Sequence, residues 1–193
     1  MEYANDYSGY GNEVLYRMCS DKPKHDCIDV ISSKLWIIGR SYSASIERKA
    51  GKDFKINDAA EIIRKSDIDS RLGKISSIER PDINNLNQIL DLHHFFLSLL
   101  KEATSIEKRS LASKYLHFHA PKAVFIYDSI ANKELRSRLK GKRFKIDSQF
   151  DYEYTAFCHR AIHYRDNVFE NDIGALATPR RLDMDLLGYG KQL

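Results

Sequence analysis

The amino-acid sequence predicts an all-α protein, a compact bundle of about eight helices, and three observations lead there. Apolar residues recur at steps of three and four through most of the chain. No two stretches alternate apolar and polar residues in a way that would pair them as strands. Capping residues, glycines and prolines fall where such helices would begin and end.

Taken in order, residues 1–11 are rich in Tyr, Gly, Asn and Ser without a helical period and read as an extended arm. Residues 12–193 then form a single helical domain. Asn12 caps a short helix through Met18, and a loop with Pro23 follows. From Asp26 to Arg48, a helix carries Ile28, Ile31, Leu35, Ile38 and Tyr42 as a buried stripe. Gly39 inside it weakens the helix by about 1 kcal/mol relative to Ala, so a close packing partner is expected there. Residues 49–55 form a turn. Asn57 or Asp58 opens the next helix, and short helical pieces lead to Arg80.

Pro81 with Asp82 as cap starts the strongest stripe: Ile83, Leu86, Leu90, His93, Leu97 and Leu100. Ser105 to His119 is a further helix, stopped before Pro121. The run AVFIY (123–127) has no strand to pair with and reads as a buried connector into a helix opening at Asp128. Phe150, Tyr154, Phe157, Ala161, Tyr164 and Val168 mark a long helix to Phe169. Thr178-Pro179 is a cap followed by proline at the first helical position, and Gly188 ends that last helix.

Composition bounds the setting. Hydrophobic residues make up 42% and charged residues 30% of 193, the balance of a folded cytosolic domain. Three cysteines without CxxC spacing argue against a disulfide framework or a cysteine-rich zinc site. No apolar run approaches a membrane span, and the acidic first residues do not form a signal peptide, so a cytoplasmic location without membrane contact is expected. The net charge of +4 is unevenly spread: residues 133–145 carry seven cations, Arg138, Lys140, Lys142 and Arg143 among them, against Glu134 alone. That segment counts +6, leaving −2 for the rest. A solvated helix end and a phosphate-binding ridge both fit it.

Motifs exclude several chemistries. GxxxxGK[ST], GxGxxG and GxSxG are absent, which leaves no nucleotide-binding loop or hydrolase elbow. His159, His163 and Asp166 share a helical face that can chelate, yet HExxH and mixed Cys/His clusters are missing, so neither metal nor other cofactor is expected. His93 falls among leucines and reads as a core histidine.

One segment, residues 109–131, carries more. On a helix, Leu111, Tyr115 and Phe118 fall on one side and Ser110, Lys114 and His117 on the other. A lysine facing inward there would be desolvated, its pKa lowered and its amine made nucleophilic. Fourteen residues on, Asp128 sits where the connector becomes a helix, as an N-cap or as a functional carboxylate.

The order of these features, a helix bearing a lysine, a proline-broken turn, an apolar run and then an aspartate opening a helix, resembles the helix-hairpin-helix DNA glycosylases, and most closely the bacterial 8-oxoguanine glycosylase-fold proteins. The matching letters are Ser113-Lys114-Tyr115-Leu116-x-Phe118 and Ile126-Tyr127-Asp128-Ser129. The resemblance implies a lysine that attacks C1′ of a damaged nucleoside and an aspartate that stabilises the oxocarbenium charge; these roles carry to Lys114 and Asp128. It departs at residues 103–110, ATSIEKRS, where the glycine-rich hairpin that grips the DNA backbone is missing. The lysine also comes about one helical turn late, which leaves Lys108 as a competing amine. Fold-related proteins occur in bacterial anti-phage operons, so the resemblance extends by analogy to defence.

Other residues are expected around that site. His117 orients the substrate or seconds the lysine. Trp36, Arg40 and Tyr42, beside Gly39, stack on a base or simply pack. Arg180 and Arg181, on the first turn of the last helix, meet a phosphate or are met internally by Asp183 and Asp185. The function expected is a lysine-dependent N-glycosylase, with or without a lyase step, acting on a modified or damaged base in DNA or a related nucleoside, with nucleic acid or a nucleotide as its partner. The alternative is a non-catalytic helical module binding nucleic acid or an acidic partner through the 133–145 ridge, and a metal-dependent nuclease or hydrolase stands third.

Overall fold

The computed structural model describes residues 9–146 and 149–189. Among them the chain is all-helical, as the periodicity predicts, and has no strand. The helices are α1 (Gly9–Asp21), α2 (Ile28–Ser41), α3 (Ile56–Arg64), α4 (Ile68–Ile75), α5 (Leu86–Thr104), α6 (Arg109–His119), α7 (Ser129–Arg138), α8 (Tyr152–Tyr164), α9 (Glu170–Ile173) and α10 (Pro179–Leu186). A π-helical turn, Arg165–Phe169, fuses α8 and α9 into one rod, which makes nine helices among the described residues. None of these is long and apolar enough to cross a membrane.

Several boundaries differ from the sequence expectation for identifiable reasons. Residues 1–8 of the expected arm lie outside the described residues, and 9–11 belong to α1. Asn12 is no cap: it is buried inside α1, where its Oδ1 accepts the Tyr42 hydroxyl. Helix α2 stops at Ser41 rather than running to Arg48. The chain turns back at Ser43, in the left-handed region at φ +53°, and lays residues 44–46 against the helix it has just left. Gly39 permits this, because a Cβ there would lie 3.2 Å from Ser45 Cα and 3.3 Å from the Ala44 carbonyl. Asp82 organises a turn instead of capping α5, its Oδ1 accepting the amides of Asn84 and Asn85, so Ile83 falls on that turn and is exposed.

Two adjoining hydrophobic clusters hold the helices together. One gathers α1 to α6 around Leu15, Ile31, Leu35, Ile63, Phe96 and Tyr115; the other gathers α7, α8 and α10 around Leu135, Phe157, Ile162 and Leu182. Helix α5 bridges them, giving Ile89, Phe96 and Leu100 to the first and Leu86 and Leu90 to the second. Each such side chain contributes about 1.5–3 kcal/mol by burial. The connector 123–127 is buried without being a strand, because side chains satisfy its backbone. Ser113 Oγ accepts the Tyr127 amide at 3.0 Å, His117 Nδ1 donates to the Val124 carbonyl at 2.8 Å, and the Tyr154 hydroxyl donates to the Phe125 carbonyl at 2.9 Å.

Candidate functional site

Lys114 lies at the seam between the two clusters. The stripe of α6 sends Leu111, Tyr115 and Phe118 into the first core and leaves Lys114 on the side that meets α2, α7 and α10. Its side chain is 4% exposed, and its ammonium donates to the Tyr42 carbonyl at 3.1 Å and to Ser110 Oγ one turn back at 3.0 Å. Asp128 Oδ2 stands 3.7 Å from the same nitrogen. Burial pushes the amine below the ordinary lysine range, while the charges of Asp128 and Asp183 work in the opposite direction.

The two oxygens of Asp128 have different neighbours. Oδ1 caps α7, accepting the amides of Ile130 at 2.9 Å and Ala131 at 2.8 Å. Oδ2 faces Lys114. The connector that carries Asp128 is fastened to α6 by Ser113 and His117, so the helix bearing the amine also positions the carboxylate.

An open cleft of about 520 Å³ lies above this pair. Tyr42 and Tyr127 stand among its walls, and Arg48, Lys49, Lys108 and Arg109 among its lining cations, against Glu107 and Asp128. The turn 105–108 leads into the uncapped start of α6, whose first amides have no intrahelical acceptor. Lys108 folds back to donate to the backbone carbonyls of Ser45 and Arg48, and Arg109 grips Asp151 through two bonds of 2.6 Å.

Tyr42 also borders a second cavity, of about 320 Å³, with Asn12, Arg180 and Met184. The Tyr42 ring lies between two cations, Lys114 Nζ and Arg180 Cζ, each 5.7 Å from its centre. Arg180 in turn donates to Asp183 Oδ2 at 2.8 Å. Asp183 is 3% exposed, and its Oδ1 has no hydrogen-bond partner among the described residues. Burial, seconded by the charge of Asp128 and opposed by Arg180 and Lys114, raises its carboxyl to about 7.

The remaining expected residues separate. His117 does not face the cleft. It is fully buried, donating from Nδ1 to Val124 and accepting the Tyr16 hydroxyl on Nε2 at 2.7 Å, and burial pushes its pKa down to about 3. Trp36 is half-exposed under the Arg40 guanidinium, Arg40 pairs with Glu47, and neither borders the cleft. Arg181 is half-buried behind the Thr178 cap, whose Oγ1 accepts its amide at 3.1 Å, and Asp183 serves Arg180 as the internal partner. In the basic ridge, Arg138 is committed to Glu134 and Asp185 and Lys142 to His163, while Lys140 and Arg143 are exposed. His93 stacks on Tyr154 with ring centres 3.6 Å apart, inside the core as the stripe predicts. Among the described residues no group of three or more His, Cys, Asp or Glu can hold a metal ion.

Elsewhere, Lys34 is fully buried beneath His119 at 3.3 Å, beside a hydrogen bond of 2.6 Å from His25 Nδ1 to Asp69 Oδ1. Neither the cleft nor the second cavity reaches it. The chain matches no protein-family model, no curated protein and no solved structure.

Proposed function

We propose that the chain is a lysine-dependent N-glycosylase acting on a modified base in nucleic acid or a related nucleotide, with Lys114 as nucleophile and Asp128 as charge stabiliser. The observation that carries the reading is Lys114 itself, a nearly buried amine 3.7 Å from a carboxylate beneath an open cleft. A lysine buried for packing alone has no need of an access route, whereas Lys114 borders the cleft.

The chemistry asked of the site is compatible with these atoms. The neutral amine forms an Nζ–C1′ bond as the C1′–N bond to the base breaks, and the leaving base keeps the electron pair and takes a proton. Positive charge developing on the sugar falls near Asp128 Oδ2. The nitrogen lone pair then expels O4′, which keeps the C1′–O4′ electron pair and takes up a proton, and the adduct becomes an iminium ion at C1′. Tyr127 stands in the cleft wall as an aromatic surface for a base, and Arg48 and Lys49 offer cations to its phosphate.

Borohydride trapping across a panel of lesion-bearing oligonucleotides and nucleosides tests the reading. A covalent adduct at Lys114 is expected with at least one substrate. Tight binding without any adduct favours the non-catalytic module, for which the exposed Lys140 and Arg143 speak.

A further inference from the structure

Two cations and two carboxylates meet at the seam: Lys114, Arg180, Asp128 and Asp183. Arg180 stays charged at every relevant pH, so a change in the charge of this group falls on Lys114 or on an acid. Asp128 has a use for each oxygen, one on the α7 amides and one toward Lys114. Asp183 does not. One oxygen holds Arg180 at 2.8 Å, and the other is buried without a partner among the described residues. An ion pair three residues apart on α10 could satisfy itself in water, yet this one is packed against the Tyr42 ring, with Lys114 on that same ring.

We propose that Asp183 is a positioning residue for the amine: its carboxylate holds Arg180 against the Tyr42 ring that also faces Lys114, and it is the buried negative charge that sets how readily Lys114 gives up its proton. This rests on the reading of Lys114 as nucleophile and adds the group that governs its charge. The charged groups facing Lys114 are Asp128 from the start of α7 and Asp183 from α10; Tyr42 at the end of α2 faces it with a carbonyl and a ring, and Ser110 with a hydroxyl from α6 itself. Those facing Asp183 are Arg180, Asp128 and Lys114. A carboxylate at Asp183 stabilises the ammonium. Once Asp183 takes up a proton, the ammonium loses one counter-charge and the neutral nucleophile becomes easier to reach. The two groups therefore titrate as a coupled pair.

The test is a pair of NMR titrations on the full chain, uniformly labelled with ¹³C and ¹⁵N. They follow the Lys114 Cε/Nζ signals and the Asp183 carboxyl carbon. Asp183→Asn should lower the Lys114 midpoint by on the order of one pH unit. Because coupling is reciprocal, Lys114→Gln should raise the Asp183 midpoint by the same amount. Midpoints that stay put, or that move by unequal amounts, overturn the proposal. Should Asp183→Asn fail to fold, the Lys114→Gln titration decides alone. In the trapping assay, Asp183→Asn should hold about tenfold more neutral amine at a pH well below the midpoint and so trap faster there. Trapping without coupled midpoints removes only this inference. Coupled midpoints without trapping remove the glycosylase reading and leave the charge coupling in place.

Discussion

Asp128→Asn separates a helix cap from a charge, because the cap and the approach to Lys114 use different oxygens. Asparagine keeps the carbonyl oxygen that caps α7 at 2.8–2.9 Å, a replacement that costs little at an N-cap. What it loses is the charge 3.7 Å from Lys114. At an effective dielectric of ~20 that pair is worth about 4.5 kcal/mol of Coulomb energy, and in water about 1 kcal/mol. The folded protein does not forfeit the larger figure. Lys114 keeps its bonds to Tyr42 and Ser110 and can relax by releasing its proton. A net cost of about 1 kcal/mol follows, which for a chain of this size lowers Tm by about 2–4 °C. The reaction has no such escape, since the charge on the sugar must develop beside whatever stands at position 128. Removing an electrostatic stabiliser of this kind costs on the order of 10²–10³ in rate. Thermal melting and single-turnover base excision, measured on the same preparation, read both quantities. Wild-type activity at nearly wild-type Tm would leave Asp128 a cap only. Loss of activity accompanied by a collapse of Tm would assign the effect to folding.

Further outcomes follow from the same geometry. Lys114→Gln should abolish the trapped adduct while Lys108→Gln keeps it, because Lys108 is committed to the backbone carbonyls of Ser45 and Arg48; the reverse pattern would move the nucleophile to Lys108. Reversing Lys140, Lys142 and Arg143 together should flatten the salt dependence of oligonucleotide binding by about one unit of slope per lost phosphate contact. An unchanged slope would mean that the ridge faces only water. Stability should fall on acidification below about pH 6.5, because burial holds His93, His117 and His119 neutral, the first two down to about 3, so the unfolded chain binds more protons. Each costs up to about 1.4 kcal/mol per pH unit in that window, and Asp183, raised to about 7 by burial, acts with the opposite sign and offsets only one of the three. Urea unfolding that gives equal free energies at pH 7.5 and pH 5 would refute this balance.

The helices were legible wherever burial repeats at helical spacing, and illegible where a tertiary contact ended them. The stripe through Ile31, Leu35 and Ile38 locates α2, and Gly39 advertises a close approach. Nothing in the stripe says that the approaching segment is the chain's own return at residues 44–46, which cuts the helix short at Ser41 and makes Tyr42 a wall of the cleft. Likewise Asp82 has the composition of a helix cap, but its oxygen serves a turn three residues too early.

The candidate site divides along the same line. Lys114 was visible because a charged residue breaks an apolar helical pattern, and Asp128 because a cap residue follows a buried run; both signals are local. His117 broke that pattern too, and the sequence placed it beside the lysine. The two resolve only through partners far along the chain. Tyr16, 101 residues away, completes the histidine, while Tyr42, 72 residues away, accepts from the amine and borders an opening. Asp183 could be read as a neighbour for the arginines of α10, and it is one. Its second role, as a charge felt by Lys114, depends on α10 packing beside α7 and against Tyr42, which spacing along one helix does not encode. A polar residue on an apolar face thus marks a place where partners are required. Whether those partners are a carbonyl and a phenol, as for His117, or a carboxylate and a cleft, as for Lys114, decides between a residue that holds the fold and one that can act on a substrate.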